Sequence, residues 1–306
     1  VRFSRKEADI FPERKILKKL GTQTSTTLAG ECASLCPIPI ASRKKILQHM
    51  EDITQQGYVR TTIQDGIATI EFFHPAHNSL PGRLLALLAS EIQSAGRRDD
   101  VLLLILRSAG DKTFCAGASF DELASISDFN TGKRFFLGFA GVINALRRCP
   151  KLVIGRVPGK AIGGGVGLAS AVDYCLATKH ASVRLSELAV GIGPFVVGPA
   201  VQRKIGLSAF SQMAINATEW QTAEWARAKG LFTEVFDSIE QLDAYIAHFT
   251  GILLKSGPEA MQGLKKIFWE GTEHWDQLLD ERAAMSGRLV LSNFSKNAIA
   301  AFKLKA

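Results

Sequence analysis

Cysteine is scarce in this 306-residue chain: five residues, an odd number, at Cys32, Cys36, Cys115, Cys149 and Cys175. Scattered thiols of this kind argue against a disulfide framework of the secreted type and for the reducing cytoplasm. Cys32 and Cys36 lack a second pair of ligands, and the six histidines form neither HxxxH nor HExxH, so no metal site is expected. No apolar run reaches eighteen residues, the length a membrane-crossing helix needs. A GxSxG elbow is missing, which argues against a serine hydrolase. The GxGxxG spacing of a dinucleotide-binding turn is missing as well. Leu168 stands where the third glycine would fall, and Glu187 lies in a loop-like LSEL context rather than at a strand end. There is no repeat of fixed period and no low-complexity tract.

What is present is an ordinary globular composition, 46% hydrophobic and 22% charged, with a formal net charge of +8. The charge is unevenly placed. Residues 1–49 hold ten Lys/Arg and four acids, a net +6, which leaves +2 for the rest. The main body therefore has no basic field of the kind a nucleic-acid partner needs. Residues 1–49 also lack a sustained hydrophobic period, carry a Thr/Ser patch and end near Pro37 and Pro39. They read as a disordered or non-native leader, too acidic for a typical transit peptide, with the folded protein beginning near Met50.

From residue 58 the pattern sharpens. Residues 58–63 and 66–73 read as a hairpin turning at Asp65-Gly66, since Asp-Gly supplies the positive φ of a tight turn. Residues 81–95 read as a helix, and the apolar run 101–107 as a strand buried on both faces. Residues 108–120 form a loop, 131–148 a helix, 152–157 a second buried strand, 163–172 a helix start and 173–178 a third strand. Such alternation predicts an α/β core with a largely parallel sheet. Beyond about residue 205 the strand signal fades. Helices are expected over 221–229, 239–254, 258–270, 275–289 and 293–302. The organisation is thus a spiral core over 50–205 carrying the site, followed by a helical C-terminal region over 206–306. Trp220, Trp225, Trp269 and Trp275 are expected to mark buried helix contacts, and Asp173 to be structural.

Two segments carry chemistry. AIGGGVGL at 161–168 follows a buried strand and opens a helix. Glycine inside a helix costs roughly 0.5–1 kcal/mol relative to alanine, so three in a row need a reason. That reason is either close backbone packing or a ligand held against bare N–H groups at the helix N-terminus. TFCAGASFDEL at 113–123 follows another buried strand, and its small residues Ala116, Gly117 and Ala118 again permit close approach. Both segments can meet at the carboxyl ends of strands in one sheet, where α/β proteins bind ligands. Two converging N–H groups make an oxyanion hole, each donor worth about 2.7–4 kcal/mol to a transition state that gathers charge on oxygen.

From about residue 58 to 305 the chain resembles the crotonase (enoyl-CoA hydratase/isomerase) superfamily. The pieces that carry the resemblance are FCAGASFDEL, VPGKAIGGGVGLASAVDYCLAT, VRLSELAVGIGPFVVGPAVQRKIG and TEWQTAEWARAKGLFTEVF, in the family's order and spacing. The resemblance implies a crotonase-like spiral of ββα units with a helical C-terminal region. It implies an acyl-CoA substrate, with CoA as part of the substrate and no separate cofactor, and assembly as a homotrimer or hexamer. It places the oxyanion-hole amides at Ala118 and Gly164. CoA and acyl contacts fall at His77, Asn78, Ser119, Phe120, Asp121, Gly165 and Gly167, with Phe302 and Lys305 on a C-terminal helix that can reach a neighbouring subunit's CoA.

The family's hydratases use two glutamates. One lies three residues after the middle glycine, where this chain has Gly167; the other falls in a Pro-Glu-like dipeptide, retained here as Ser186-Glu187. Ser119 stands where many members have aspartate. Adding water across a double bond benefits from two positioned groups, whereas moving a double bond from β,γ to α,β needs one base. Glu187 alone suits the isomerase, with its pKa raised by desolvation in an apolar pocket. A hydratase, including one for branched or methylglutaconyl-type substrates, is the alternative. Other enolate chemistry such as decarboxylation or thioester hydrolysis, and a non-catalytic acyl-CoA binder, stand behind it. On this reading Gly167→Glu is expected to raise hydration. Phe195 and the stripe Phe135/Phe136/Phe139 are read as core or acyl-pocket wall.

Overall fold

The computed structural model describes residues 56–303. The leader at 1–49, the start near Met50 and Lys305 therefore lie outside the described residues. Asp65 and Gly66 both take positive φ, 50° and 81°, as a two-residue hairpin turn requires. They join β1 (Tyr58–Gln64) to β2 (Ile67–Phe73) in an antiparallel pair with Gln64 opposite Ile67. Helix α1 (Gly82–Gly96) buries Leu84, Leu85, Leu88 and Ile92, the one-sided spacing that docks a helix on a sheet.

From there each turn of chain sends one strand to a large sheet, a shorter one to a small sheet, and then a helix over the core. The first turn is β3 (Leu103–Ser108), β4 (Thr113–Cys115), α2 (Phe120–Ser125) and α3 (Phe129–Arg148). The second is β5 (Leu152–Val157), β6 (Lys160–Ile162) and α4 (Gly164–Ala171). The third is β7 (Tyr174–Thr178), β8 (Ser182–Arg184), a 3-10 turn at Glu187–Val190 and α5 (Gly198–Ile215). Then come β9 (Gln221–Thr222), α6 (Ala223–Ala228), β10 (Glu234–Phe236), α7 (Ile239–Leu253), α8 (Pro258–Phe268), α9 (Trp275–Leu289) and α10 (Asn293–Lys303). The large sheet has the order β1-β2-β3-β5-β7-β10, parallel from β2 onward. The small one is β4-β6-β8-β9. This is the α/β spiral of ββα units with helices at its C-terminal end.

The core lies between the large sheet and α1, α3 and α4, with Phe72, Leu80, Leu104, Phe114 and Leu146 fully buried. Helix α9 packs closely on α3 where two glycines meet: a Cβ on Gly132 would lie 3.0 Å from the Gly287 carbonyl oxygen. The described residues fall within one compact unit.

Several elements differ from the sequence expectation. Strands β4, β6, β8 and β9 are two or three residues long, too short to show alternation: β4 falls in the segment expected as a loop, β9 at the start of an expected helix, and β6 and β8 in stretches with no expected element. Helix α5 was not expected. Gly206 inside it has a φ of 76°, which breaks the helical path and its pattern. Of the tryptophans, Trp269 and Trp275 are buried and pack edge to face at 5.8 Å. Trp220 and Trp225 are only half-buried, and Trp220 precedes β9 rather than sitting in a helix. Its indole meets two cations, Arg184 at 4.5 Å and Lys160 at 5.2 Å from the ring centre, and such a pairing keeps an indole near the surface. Asp173 accepts hydrogen bonds from the Val153 N–H, the Lys265 ammonium at 2.7 Å and the Trp269 indole N–H at 3.0 Å, tying β5 and β7 to α8.

Candidate active site

The loop after β4 and the N-terminus of α4 touch through their glycines. Gly117 has a φ of +87°, and a Cβ on it would lie 2.8 Å from the Ile162 carbonyl oxygen and 3.5 Å from the Gly164 nitrogen. Only glycine permits that approach. In a trans peptide the C=O and the following N–H point in opposite directions. The Gly117 carbonyl accepts from the Leu80 N–H at 2.8 Å, so the Ala118 N–H is turned away from Leu80. The Gly163 carbonyl accepts from the Val166 and Gly167 N–H groups, so the Gly164 N–H faces out of the helix end. It is one of the donors that a helix start leaves unpaired.

Ala118, Gly164 and Glu187 line one small cavity of about 70 Å³. Glu187 opens the 3-10 turn after β8, and its carboxylate lies beside Gly163: a Cβ there would come 2.9 Å from Glu187 Oε1. Oε2 of Glu187 is buried and has no hydrogen-bond partner among the described residues. Burial pushes the carboxyl up to about 7, opposed in part by a backbone N–H. Phe136, Phe139, Ile192, Phe195 and Val197 make much of the apolar wall, and Ser286 of α9 adds a polar group. The Phe139 ring covers Gly164 so closely that any side chain there would collide with it.

A larger groove of about 1110 Å³, lined by charged side chains such as Asp111, Lys160 and Arg184, opens beside the cavity. The two share Ala116, Ala118, Phe120, Ser186 and Val190. His77, Ser119, Phe120, Asp121 and Phe302 all line this groove. The Ser119 hydroxyl also caps α2 by accepting from the Glu122 N–H at 3.4 Å. Phe302 stacks on Phe120 of its own chain, ring centres 4.3 Å apart. Among the described residues, no group of three or more His, Cys, Asp or Glu side chains is placed to hold a metal.

Three of the residues expected at the site line neither space. Gly165 packs on the backbone of Cys115. Gly167 faces Val197, whose Cγ1 would lie 2.5 Å from an added Cβ. A glutamate at 167 would have to displace that valine, so the gain in hydration expected from Gly167→Glu does not follow. Gly167→Ala is expected instead to lower stability by about 1–3 kcal/mol through overpacking, read as a shift in denaturant midpoint at unchanged slope.

Asn78 is the third. It is buried, with a φ of 56°. Its amide nitrogen donates to the Ala109 and Thr113 carbonyls at 2.9 Å, and its oxygen accepts from the His74 N–H at 3.0 Å. The neighbouring His77 carbonyl accepts from Ala116 N–H at 3.1 Å. The 74–80 loop is thus a clamp on the loop that presents Ala118. Asn78→Ala removes a partner from three part-buried backbone groups, of which the Thr113 carbonyl keeps the Ser108 hydroxyl at 3.4 Å, and is expected to cost about 1–3 kcal/mol of stability. It is also expected to lower kcat more than it raises KM, which steady-state kinetics on the folded fraction would measure. Leu80 and Ser286 were not anticipated from the sequence. The role of Leu80 is carried by its backbone N–H, and Ser286 comes from α9, far along the chain.

Comparison with known proteins agrees with this fold. The sequence profile of the enoyl-CoA hydratase/isomerase family matches residues 62–303. A peroxisomal Delta(3,5)-Delta(2,4)-dienoyl-CoA isomerase of Arabidopsis thaliana is 26% identical over 84% of this chain and 96% of its own length. The human mitochondrial methylglutaconyl-CoA hydratase is 30% identical over 64% of this chain and 58% of its own. The crystal structure of an enoyl-CoA hydratase from Bacillus halodurans superposes with a TM-score of 0.74 at 21% identity, covering 80% of this chain and 99% of that one. This chain belongs to the enoyl-CoA hydratase/isomerase family, the crotonase superfamily of acyl-CoA enzymes.

Proposed function

We propose that this chain is an enoyl-CoA isomerase that converts 3-enoyl-CoA to 2-enoyl-CoA, with Glu187 as its one acid/base. The observation that carries the reading is that Glu187 is the one ionisable side chain among those lining the small cavity, beside the N–H groups of Ala118 and Gly164. The thioester carbonyl sits between those two donors. Glu187 takes a proton from C2, charge moves onto the thioester oxygen, and the same carboxyl returns the proton at C4. A group near pH 7 both accepts and gives up a proton readily. No redox or metal step enters this scheme, and CoA is part of the substrate.

Hydration, the alternative, profits from a second group to orient water, and the position that would supply it is Gly167 behind Val197. The isomerase named among the relatives adds support to double-bond migration. The test is a panel of 3-enoyl- and 2-enoyl-CoAs followed by thioester absorbance and product mass. Conversion of the first, with little water added to the second, is expected; hydration as fast as isomerisation would overturn the reading. Because the deprotonated carboxyl is the base, kcat is expected to rise with pH through an apparent pKa of about 7 and level off above it, in a pH–rate profile.

The three thiols Cys115, Cys149 and Cys175 are free and buried, which supports a reducing compartment. The cytoplasm is the one we propose, although relatives carry peroxisomal and mitochondrial names. No helix among the described residues is long and apolar enough to cross a membrane. The assembly we propose, a homotrimer or hexamer, rests on the family resemblance; size-exclusion chromatography with light scattering tests it.

A further inference from the structure

The chemistry at the thioester fixes neither the length nor the charge of the acyl chain; the far side of the cavity bears on both. Besides Ala118, Gly164 and Glu187 the wall includes Leu123, Phe136, Ile192, Phe195, Val196 and neighbouring apolar groups. Among the described residues no lysine, arginine or histidine lines it. Its serine from α9, Ser286, donates to the Arg282 carbonyl at 3.3 Å, so that hydroxyl proton is already used. A second carboxylate on the acyl chain would meet no cation there and would face Glu187. An unpaired buried carboxylate is strongly disfavoured.

Size points the same way. A space of about 70 Å³, set against roughly 10–15 Å³ for each water-sized group, accepts about five to seven such groups, the carbonyl oxygen among them. Phe195 stands out in the wall because it belongs to none of the three packed core clusters. Its ring folds back over Gly193, held by a tight turn in which the Phe195 N–H donates to the Gly193 carbonyl at 2.7 Å. Its bulk therefore serves the cavity more than the core.

We infer that the acyl group taken here is short, of about four to six carbons, uncharged at its far end, and limited in length by Phe195. The inference rests on the acyl-CoA reading of the site and adds the substrate class to it. Saturated acyl-CoAs test it without turnover, by calorimetry on the full chain. Butyryl- and hexanoyl-CoA are expected to bind at least about tenfold tighter than decanoyl-CoA, whose extra methylenes find no apolar surface to bury. Glutaryl-CoA, close to hexanoyl-CoA in length but ending in a carboxylate, is expected to bind about 100-fold more weakly than it. Phe195→Ala should tighten decanoyl-CoA toward the hexanoyl value, and Phe195→Trp should weaken hexanoyl-CoA while sparing butyryl-CoA.

Decanoyl- or glutaryl-CoA binding as tightly as hexanoyl-CoA to the unaltered protein overturns the inference, whatever the variants do. Short-chain preference with no turnover of hex-3-enoyl-CoA sinks the isomerase reading and leaves this one standing. Failure to bind any of the four thioesters sinks both.

Discussion

Replacing Glu187 by glutamine is expected to lower kcat on 3-enoyl-CoA by about 10²–10⁴-fold, the range that a positioned acid/base contributes, while making the fold more stable above neutral pH. The two effects have one cause. The Glu187 carboxyl is buried, one of its oxygens has no partner, and burial holds its pKa at about 7 against an ordinary 4.5. In the unfolded chain the group ionises at its ordinary pKa; in the folded chain it stays protonated up to about 7. Below pH 4.5 both states are protonated and the group does not affect stability. Between about 4.5 and 7 the folded state loses stability progressively, and above 7 the loss is complete, about 3 kcal/mol at 1.36 kcal/mol per pKa unit. Glutamine has no such dependence. Melting curves of the two proteins should nearly coincide at pH 5 and separate at pH 8, the variant being higher. Acyl-CoA affinity, measured separately, should change little. Loss of affinity in step with loss of turnover would show that Glu187 holds the substrate rather than moves a proton.

Asp173→Ala is expected to cost about 3–5 kcal/mol of stability, the usual result of breaking one side of a buried ion pair. The side chains of Asp173 and Lys265 are 4% and 3% exposed and 2.7 Å apart. The same carboxylate holds the Val153 N–H and the Trp269 indole, and removing it leaves a buried ammonium and two unpaired donors. Lys204 donates nearby to the Val172 and Asp173 main-chain carbonyls at 3.0 Å; those bonds survive the substitution, but the ammonium loses the neighbouring Asp173 charge. Replacing both partners with apolar residues, Asp173→Leu with Lys265→Met, should recover much of the loss. Urea denaturation of the single and double variants measures this. A single variant as stable as the parent would mean the pair contributes nothing net. The site is not adjacent to Asp173, so kcat of the folded fraction should hold.

The long elements were readable because their patterns are long. Strands β2, β3 and β5 present buried apolar runs, and α9 was bounded at the residues seen here. The Gly117 and Gly163–Gly165 positions were readable too, since each costs helix or loop stability that only a close approach explains. Their partners were harder. Asn78 was singled out by resemblance as a contact to CoA; its amide is consumed by three backbone groups, a relation between residues 74, 109 and 113 that no local pattern encodes. Leu80 orients the Ala118 N–H through its own main chain, where side-chain identity carries no signal. Val197 behind Gly167 is the same kind of case. The sequence showed a missing glutamate but not the valine that occupies its space.

The contact of α9 with α3 at Gly132 and Gly287 has a consequence for the order in which the protein becomes an enzyme. The two N–H donors and Glu187 lie within residues 118–187, whereas Ser286 reaches the same cavity from α9, about a hundred residues further on. Turnover is therefore expected to await the docking of that late helix during refolding, and turnover that precedes it would show that the cavity closes without α9.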